Sequence, residues 1–119
     1  MKLVIDEPET EALRSRLSTL SSLVSSELAV VEVMRRARPH GADSELVANR
    51  VLEAVQLRPI DAVVITLSVG VDPEGLRALD AIHLATALTM AEELDVLISY
   101  DQRLNDAASA AGLRVEAPA

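Results

Sequence analysis

The stretch from Asp80 to Leu104, DAIHLATALTMAEELDVLISYDQRL, constrains this chain more than any other. It opens on one acid, Asp80, and runs as an almost wholly apolar helical segment to a break at Asp95. The strand VLIS at 96–99 follows, and a second acid, Asp101, stands just past its end. A helix apolar on nearly every side has to be buried, and so does a strand of that composition. Buried helix feeding buried strand is the repeating unit of layered α/β folds. A carboxylate at the end of a buried element is costly unless it is paired, so both acids call for an account.

The remaining segments fit the same alternation. Leu13, Leu17 and Leu20 recur at helical spacing and predict a helix over about 8–19, with Pro8 in its first turn and Asp6 or Glu7 as cap. Residues 1–5, MKLVI, read as the last turn of a helix or a very short strand. SSLVS at 21–25 reads as a short buried strand. From Ser26 and Glu27 an apolar stripe of Leu28, Val31 and Met34 predicts a helix, broken by Pro39, His40 and Gly41. A capped helix follows from Asp43 or Ser44 to about Gln56, then a strand over LRPI at 57–60.

DAVVITLSV at 61–69 is balanced between helix and strand. Asp61 as a cap and the break from Gly70 to Pro73 favour a helix. The central helix is expected over 78–94, and an Ala-rich helix over 101–111 is closed by Gly112 before a last strand, LRVEA. Neither a repeat nor a low-complexity linker interrupts the pattern. The expectation is a single domain over 1–119, an α/β sandwich with a mostly parallel sheet.

Composition narrows the functions open to such a fold. The chain has 119 residues, half of them hydrophobic, and its single aromatic residue is Tyr100, so aliphatic side chains and Ala must build the core. The lack of cysteine excludes disulfides and thiolate metal sites and suits a reducing cytoplasm. No apolar run is long enough for a membrane span, and the N-terminus lacks a secretory pattern, which together predict a cytoplasmic protein. Nineteen acids against eleven bases leave a net charge of −8, which argues against generic electrostatic binding of nucleic acid. A nuclease whose acids bind a cation, or a protein with a basic partner, stays compatible with that charge. The scarcity of aromatics also argues against base stacking as the mode of recognition.

In parallel sheets the functional crevice lies beyond the carboxyl ends of the strands, which is where Asp101 falls. Asp80 opens the helix that feeds the same strand, and Glu32 interrupts the apolar stripe of its own helix. Three acids brought together would suit Mg²⁺ or Mn²⁺, hard cations that prefer carboxylates and water. Each acid also has a plain reading. Asp80 and Asp101 are well placed as helix caps, and Glu32 has Arg35 and Arg36 within ion-pairing reach on its own helix. Spacing alone leaves both readings open.

Other polar residues are weaker candidates. Ser99 could support a cation site at Asp101 or simply satisfy its hydroxyl on backbone. His83, one turn beyond Asp80, reads as a hydrogen-bonded polar residue rather than a general base, and two histidines make a zinc site improbable. Arg35, Arg36 and Arg38 read as a solvated helix end. A phosphate-binding glycine loop, a nucleophilic serine elbow and a catalytic lysine are all lacking. A phospho-acceptor receiver domain, which shares the alternating pattern, is disfavoured because the sole lysine is Lys2.

SSELAVVEV, LRALDAIHLATAL and ISYDQRL, in that order, resemble the PIN-domain ribonucleases, and among them the VapC toxins of bacterial toxin–antitoxin pairs. The resemblance runs from about residue 2 to residue 115. It implies a PIN-like three-layer sandwich and a Mg²⁺-dependent endoribonuclease in which water attacks an RNA phosphodiester in line. By motif, Glu32, Asp80 and Asp101 are the implied catalytic acids and metal ligands, with Ser99 as the supporting hydroxyl; Glu27 is not matched. The implied partners are an RNA substrate, a small VapB-like antitoxin with a basic or hydrophobic tail, and a second copy in a homodimer.

One departure stands out. Members of the family begin with a strand of the type YLDTSALVKL that carries the first acid and forms the centre of the sheet. Here the chain opens at MKLVI, as though entering after that strand, and Asp6 comes too late to replace the acid. The resemblance therefore implies a domain without its central strand and with three of the family's acids. Two readings follow: a ribonuclease, or a catalytically impaired subunit that binds an antitoxin or dimerises.

Overall fold

A computed structural model describes residues 8–119. Residues 1–7, and with them the MKLVI segment and the expected Asp6 or Glu7 cap, lie outside the described residues. The chain divides into two compact units, one reaching to Arg58 and taking in Pro118–Ala119, the other spanning Pro59–Ala117.

In the first unit, helix α1 covers Thr10–Leu17 and buries Thr10 and Leu13. It stops where serine and threonine turn their hydroxyls onto the helix's own carbonyls, Ser18 Oγ to Ser15 O at 2.7 Å and Thr19 Oγ1 to Arg16 O at 2.7 Å. Strand β1, Val24–Ser26, pairs in parallel with β2, Gln56–Arg58, in the register Val24 to Gln56 and Ser26 to Arg58. Parallel neighbours need a crossover, and the helices α2, Leu28–Ala37, and α3, Ala42–Glu53, supply it.

Buried Ser26 accepts the Leu28 N–H on its Oγ at 3.2 Å, so the expected helix start at Ser26 is used, two residues before the helix itself. Between α2 and α3 a 3-10 turn over Arg38–His40 leads into Gly41, whose φ of 98° lies in the region that favours glycine. Gly41, not Asp43 or Ser44, holds the N-cap of α3, and Asp43 instead lies in the first turn, favourably placed on the helix dipole.

In the second unit the ambiguous 61–69 segment is helical. Helix α4, Ala62–Gly70, starts where the Asp61 carboxylate accepts the Val64 N–H at 2.9 Å. Helix α5 covers Ala78–Thr89 and ends five residues before its expected end at 94. Thr89 Oγ1 bonds to Thr86 O at 2.6 Å and Met90 N–H to Ala87 O at 3.1 Å, which tightens the last turn. Glu92 and Glu93 would also have placed negative charge at the negative end of the helix dipole.

Strand β3, Leu97–Ile98, helix α6, Gln102–Ala110, and strand β4, Val115–Glu116, form a βαβ unit with the two strands parallel. The α6 terminus is closed by the glycine motif in which Leu113 N–H reaches Ala108 O at 3.0 Å and Gly112 N–H reaches Ser109 O at 3.0 Å. Gly112 permits it by taking a φ of 92°. Leu84, Leu104, Ala107 and Ala108 form the buried centre of this unit, with Leu76, Leu88, Leu97 and Leu113 packed around them. The alanines carry the core as the composition requires, because a methyl side chain lets α5 and α6 approach closely. Among the described residues, six α-helices with short parallel strands between them make the expected α/β, PIN-like architecture, and both described ladders are parallel.

Candidate active site

Asp101 occupies the N-cap of α6, immediately beyond β3. Its Oδ1 accepts the N–H groups of Arg103 at 2.9 Å and Leu104 at 3.2 Å, so the plain reading of this residue as a cap holds. That role uses one oxygen. Oδ2 is turned instead to the Arg77 guanidinium, 3.5 Å from Nη2. The carboxylate thus splits its two oxygens between holding the helix and facing a charged group.

Ser99 fixes the approach to Asp101. Its Oγ accepts the Asp101 N–H at 3.1 Å, and its N–H donates to Glu116 O at 3.2 Å, which anchors it to β4. The hydroxyl is therefore satisfied on backbone, and the backbone it satisfies is that of the candidate ligand. One turn along α6, Asn105 Nδ2 donates to Ser99 O at 2.9 Å and closes the loop from strand to helix.

Asp80 differs from the expectation of a cap. Arg77 holds the N-cap position of α5, and Asp80 is the third residue of the helix, with only 9% of its surface exposed. Its Oδ2 is buried and accepts no hydrogen bond; the nearest charge is Arg77 Nε at 3.7 Å, an attraction rather than a hydrogen bond. A buried carboxylate oxygen without a donor is expensive, and native structures keep such groups where a ligand, ion or water is to be met. Asn105 Oδ1 is a second buried oxygen without a hydrogen-bond partner.

The second unit thus joins Asp80 and Asp101 through one shared guanidinium. Glu32 lies on α2 of the first unit and is half-buried there; His83 is half-buried one turn beyond Asp80. Among the described residues no group of three or more His, Cys, Asp or Glu gathers as a ready cage for a metal ion. The donor chemistry at Asp80 and Asp101 nonetheless fits a hard divalent cation. Mg²⁺ is commonly held by one or two carboxylates while water and substrate oxygens complete its shell.

Arg77 and Asn105 are the residues that sequence reasoning missed. Arg77 did leave a signal. A cation at the N-terminus of a helix opposes the dipole, and an arginine three residues before an aspartate stands within ion-pairing reach of it. Asn105 left none, since a polar residue at that point in α6 reads as solvated.

Comparison with known proteins agrees with this architecture. The PIN domain model matches residues 1–110. The chain belongs to the PIN-domain family, on the side of its VapC-type ribonucleases. It is similar to Ribonuclease VapC46 of Mycobacterium tuberculosis (strain ATCC 25618 / H37Rv), with 43% identity over 118 residues covering 99% of this chain and 91% of that protein. Ribonuclease VapC47 of Mycobacterium tuberculosis (strain CDC 1551 / Oshkosh) is 38% identical over 87% of this chain and 79% of its own length. Ribonuclease VapC35 of the same strain is 37% identical over 99% and 90%. No solved structure gives a significant match.

Proposed function

We propose that this chain is a Mg²⁺-dependent endoribonuclease toxin of a VapBC-type toxin–antitoxin system, working in the cytoplasm, with Asp80, Asp101 and Glu32 as its acids. The observation that carries the reading is Asp80 Oδ2, a buried carboxylate oxygen with no hydrogen bond that shares a counter-charge with Asp101. Glu32 enters on its motif alone. A bound Mg²⁺ or Mn²⁺ would supply Lewis-acid activation of water and neutralise charge developing on the phosphodiester.

The protein's own part is positioning. α6 pins Asp101 through Oδ1, and Ser99 pins its backbone, so Oδ2 is presented in one direction without a rotamer search. Asp80 is held by the first turn of a buried helix, where its carboxylate cannot swing into solvent. Two fixed carboxylates on a chain of net charge −8 repel RNA by themselves, so the reading requires a cation at the site for substrate to approach.

The natural partner on this reading is a small VapB-like antitoxin with a basic or hydrophobic segment, and a homodimer is the expected assembly. The overall acidity supports a basic partner, and α4 supports an apolar contact by exposing Val63, Ile65 and Val69. Cleavage of a labelled RNA tests the enzymatic reading. Activity should need Mg²⁺, vanish in EDTA, and be lost in Asp80→Asn and in Asp101→Asn. Cleavage that survives both substitutions would refute it. A binding subunit without hydrolysis would instead show no cleavage by the unaltered chain while still forming a complex with a basic partner.

A further inference from the structure

We propose that Arg77 is a displaceable counter-ion of the acid pair: its guanidinium neutralises Asp80 and Asp101 while no divalent cation is bound, and a cation enters only by driving it out. The inference rests on the reading of Asp80 and Asp101 as the cation site. Three observations carry it. Arg77 sits at the N-cap of α5 without making a side-chain cap, at the end of the helix dipole that disfavours positive charge. The helix dipole therefore does not explain the residue, whereas the acids do, Asp80 three residues along the same helix and Asp101 beyond β3.

The pairing is also loose. The guanidinium stands 3.7 Å from Asp80 and 3.5 Å from Asp101, on a side chain 68% exposed. Such contacts are weak and easily exchanged for water, so Arg77 can leave without dismantling the core. Finally, Arg77 leaves its partner under-satisfied. Asp80 Oδ2 is buried with no hydrogen bond, so the arginine supplies charge at a distance but does not complete the oxygen's coordination. A single guanidinium also balances only half of the charge of two carboxylates, while a divalent ion balances all of it.

Arginine and cation then compete for the same carboxylates, and the apparent affinity for the ion is lowered to the intrinsic affinity multiplied by the fraction of molecules with Arg77 displaced. For two weak, exposed pairs this amounts to roughly threefold to tenfold. The test is calorimetric titration of Mn²⁺ into the full chain after removal of metal with EDTA. Arg77→Gln should bind Mn²⁺ roughly threefold to tenfold more tightly than the unaltered chain. Arg77→Lys should fall between the two, because a lysine keeps the charge but not the planar fork. Thermal unfolding guards against a trivial loss of fold. Metal-free Arg77→Gln should melt lower than the unaltered chain and gain more from saturating Mn²⁺.

Equal or weaker Mn²⁺ affinity in Arg77→Gln overturns the proposal, as does a melting temperature that gains no more from Mn²⁺ than the unaltered chain's. If the unaltered chain binds Mn²⁺, Asp80→Asn does not, and Arg77→Gln is unchanged, the counter-ion fails while the cation site stands. If no form of the chain binds Mn²⁺, both fail.

Discussion

Replacing Asp101 by asparagine and by alanine separates its two duties. The cap is built from Oδ1, which accepts two backbone N–H groups at 2.9 and 3.2 Å. Alanine removes both acceptances, at about 1 kcal/mol for a typical cap. Asparagine keeps a side-chain oxygen of the same reach and ranks with aspartate at this position, so the cap survives. Both substitutions lose the attraction to Arg77, which at 3.5 Å and on an exposed side chain contributes well under about 1 kcal/mol. The two variants should therefore differ by about 1 kcal/mol in unfolding free energy, roughly fivefold in the folding equilibrium.

Urea unfolding followed by far-ultraviolet circular dichroism measures that difference, since the chain has no tryptophan to report by fluorescence. RNA cleavage should fall by at least about a hundredfold in both variants, because both lose the charge. An asparagine variant as unstable as the alanine variant would refute the cap. An asparagine variant that cleaves at the unaltered rate would refute the use of Oδ2 in chemistry.

Further outcomes follow from individual contacts. Leu84 is 1% exposed at the centre of the α5–α6 core, so Leu84→Ala should cost about 2–5 kcal/mol in urea unfolding. Asp61→Ala should cost about 1 kcal/mol by losing the bond to the Val64 N–H, while Asp61→Asn should stay near the unaltered stability. Glu32→Gln, on the half-buried side of α2, should lower RNA cleavage at least about tenfold while the melting temperature moves by no more than about 2 °C.

The parts of the fold legible in the sequence are those where a local rule and the packing agree. Asp61 and Asp101 cap their helices as their positions suggest, and Gly112 ends α6 as a glycine past an Ala-rich run should. Boundaries shifted where side chains compete for the backbone. Thr89 and the two glutamates after it stop α5 early, and Gly41 takes the cap that Asp43 and Ser44 were expected to provide. The strands are short, and their ends follow from pairing partners distant in sequence. Thus β1 runs later than SSLVS suggests, and β2 starts at Gln56 because its N–H meets Leu23 O at 2.8 Å.

The site divides the same way. Asp101 was legible because a strand end names its own position. For Asp80 the residue was legible but its environment was not: a first-turn aspartate reads as a dipole partner until its burial and its missing hydrogen bond are seen. Arg77 acquires meaning only when α5 and the β3–α6 turn place both acids against it. Sequence proximity explains the first of those pairs but not the second.

Asp80 and Asp101 are proposed as a divalent-cation site in a ribonuclease of the PIN family. Electron paramagnetic resonance of Mn²⁺ titrated into metal-free protein addresses it without relying on catalysis or on the choice of RNA. Bound Mn²⁺ is expected in the unaltered chain and should be lost in Asp80→Asn at the same concentrations, with the fold of both confirmed by circular dichroism. Equal Mn²⁺ binding by the two folded proteins would contradict it.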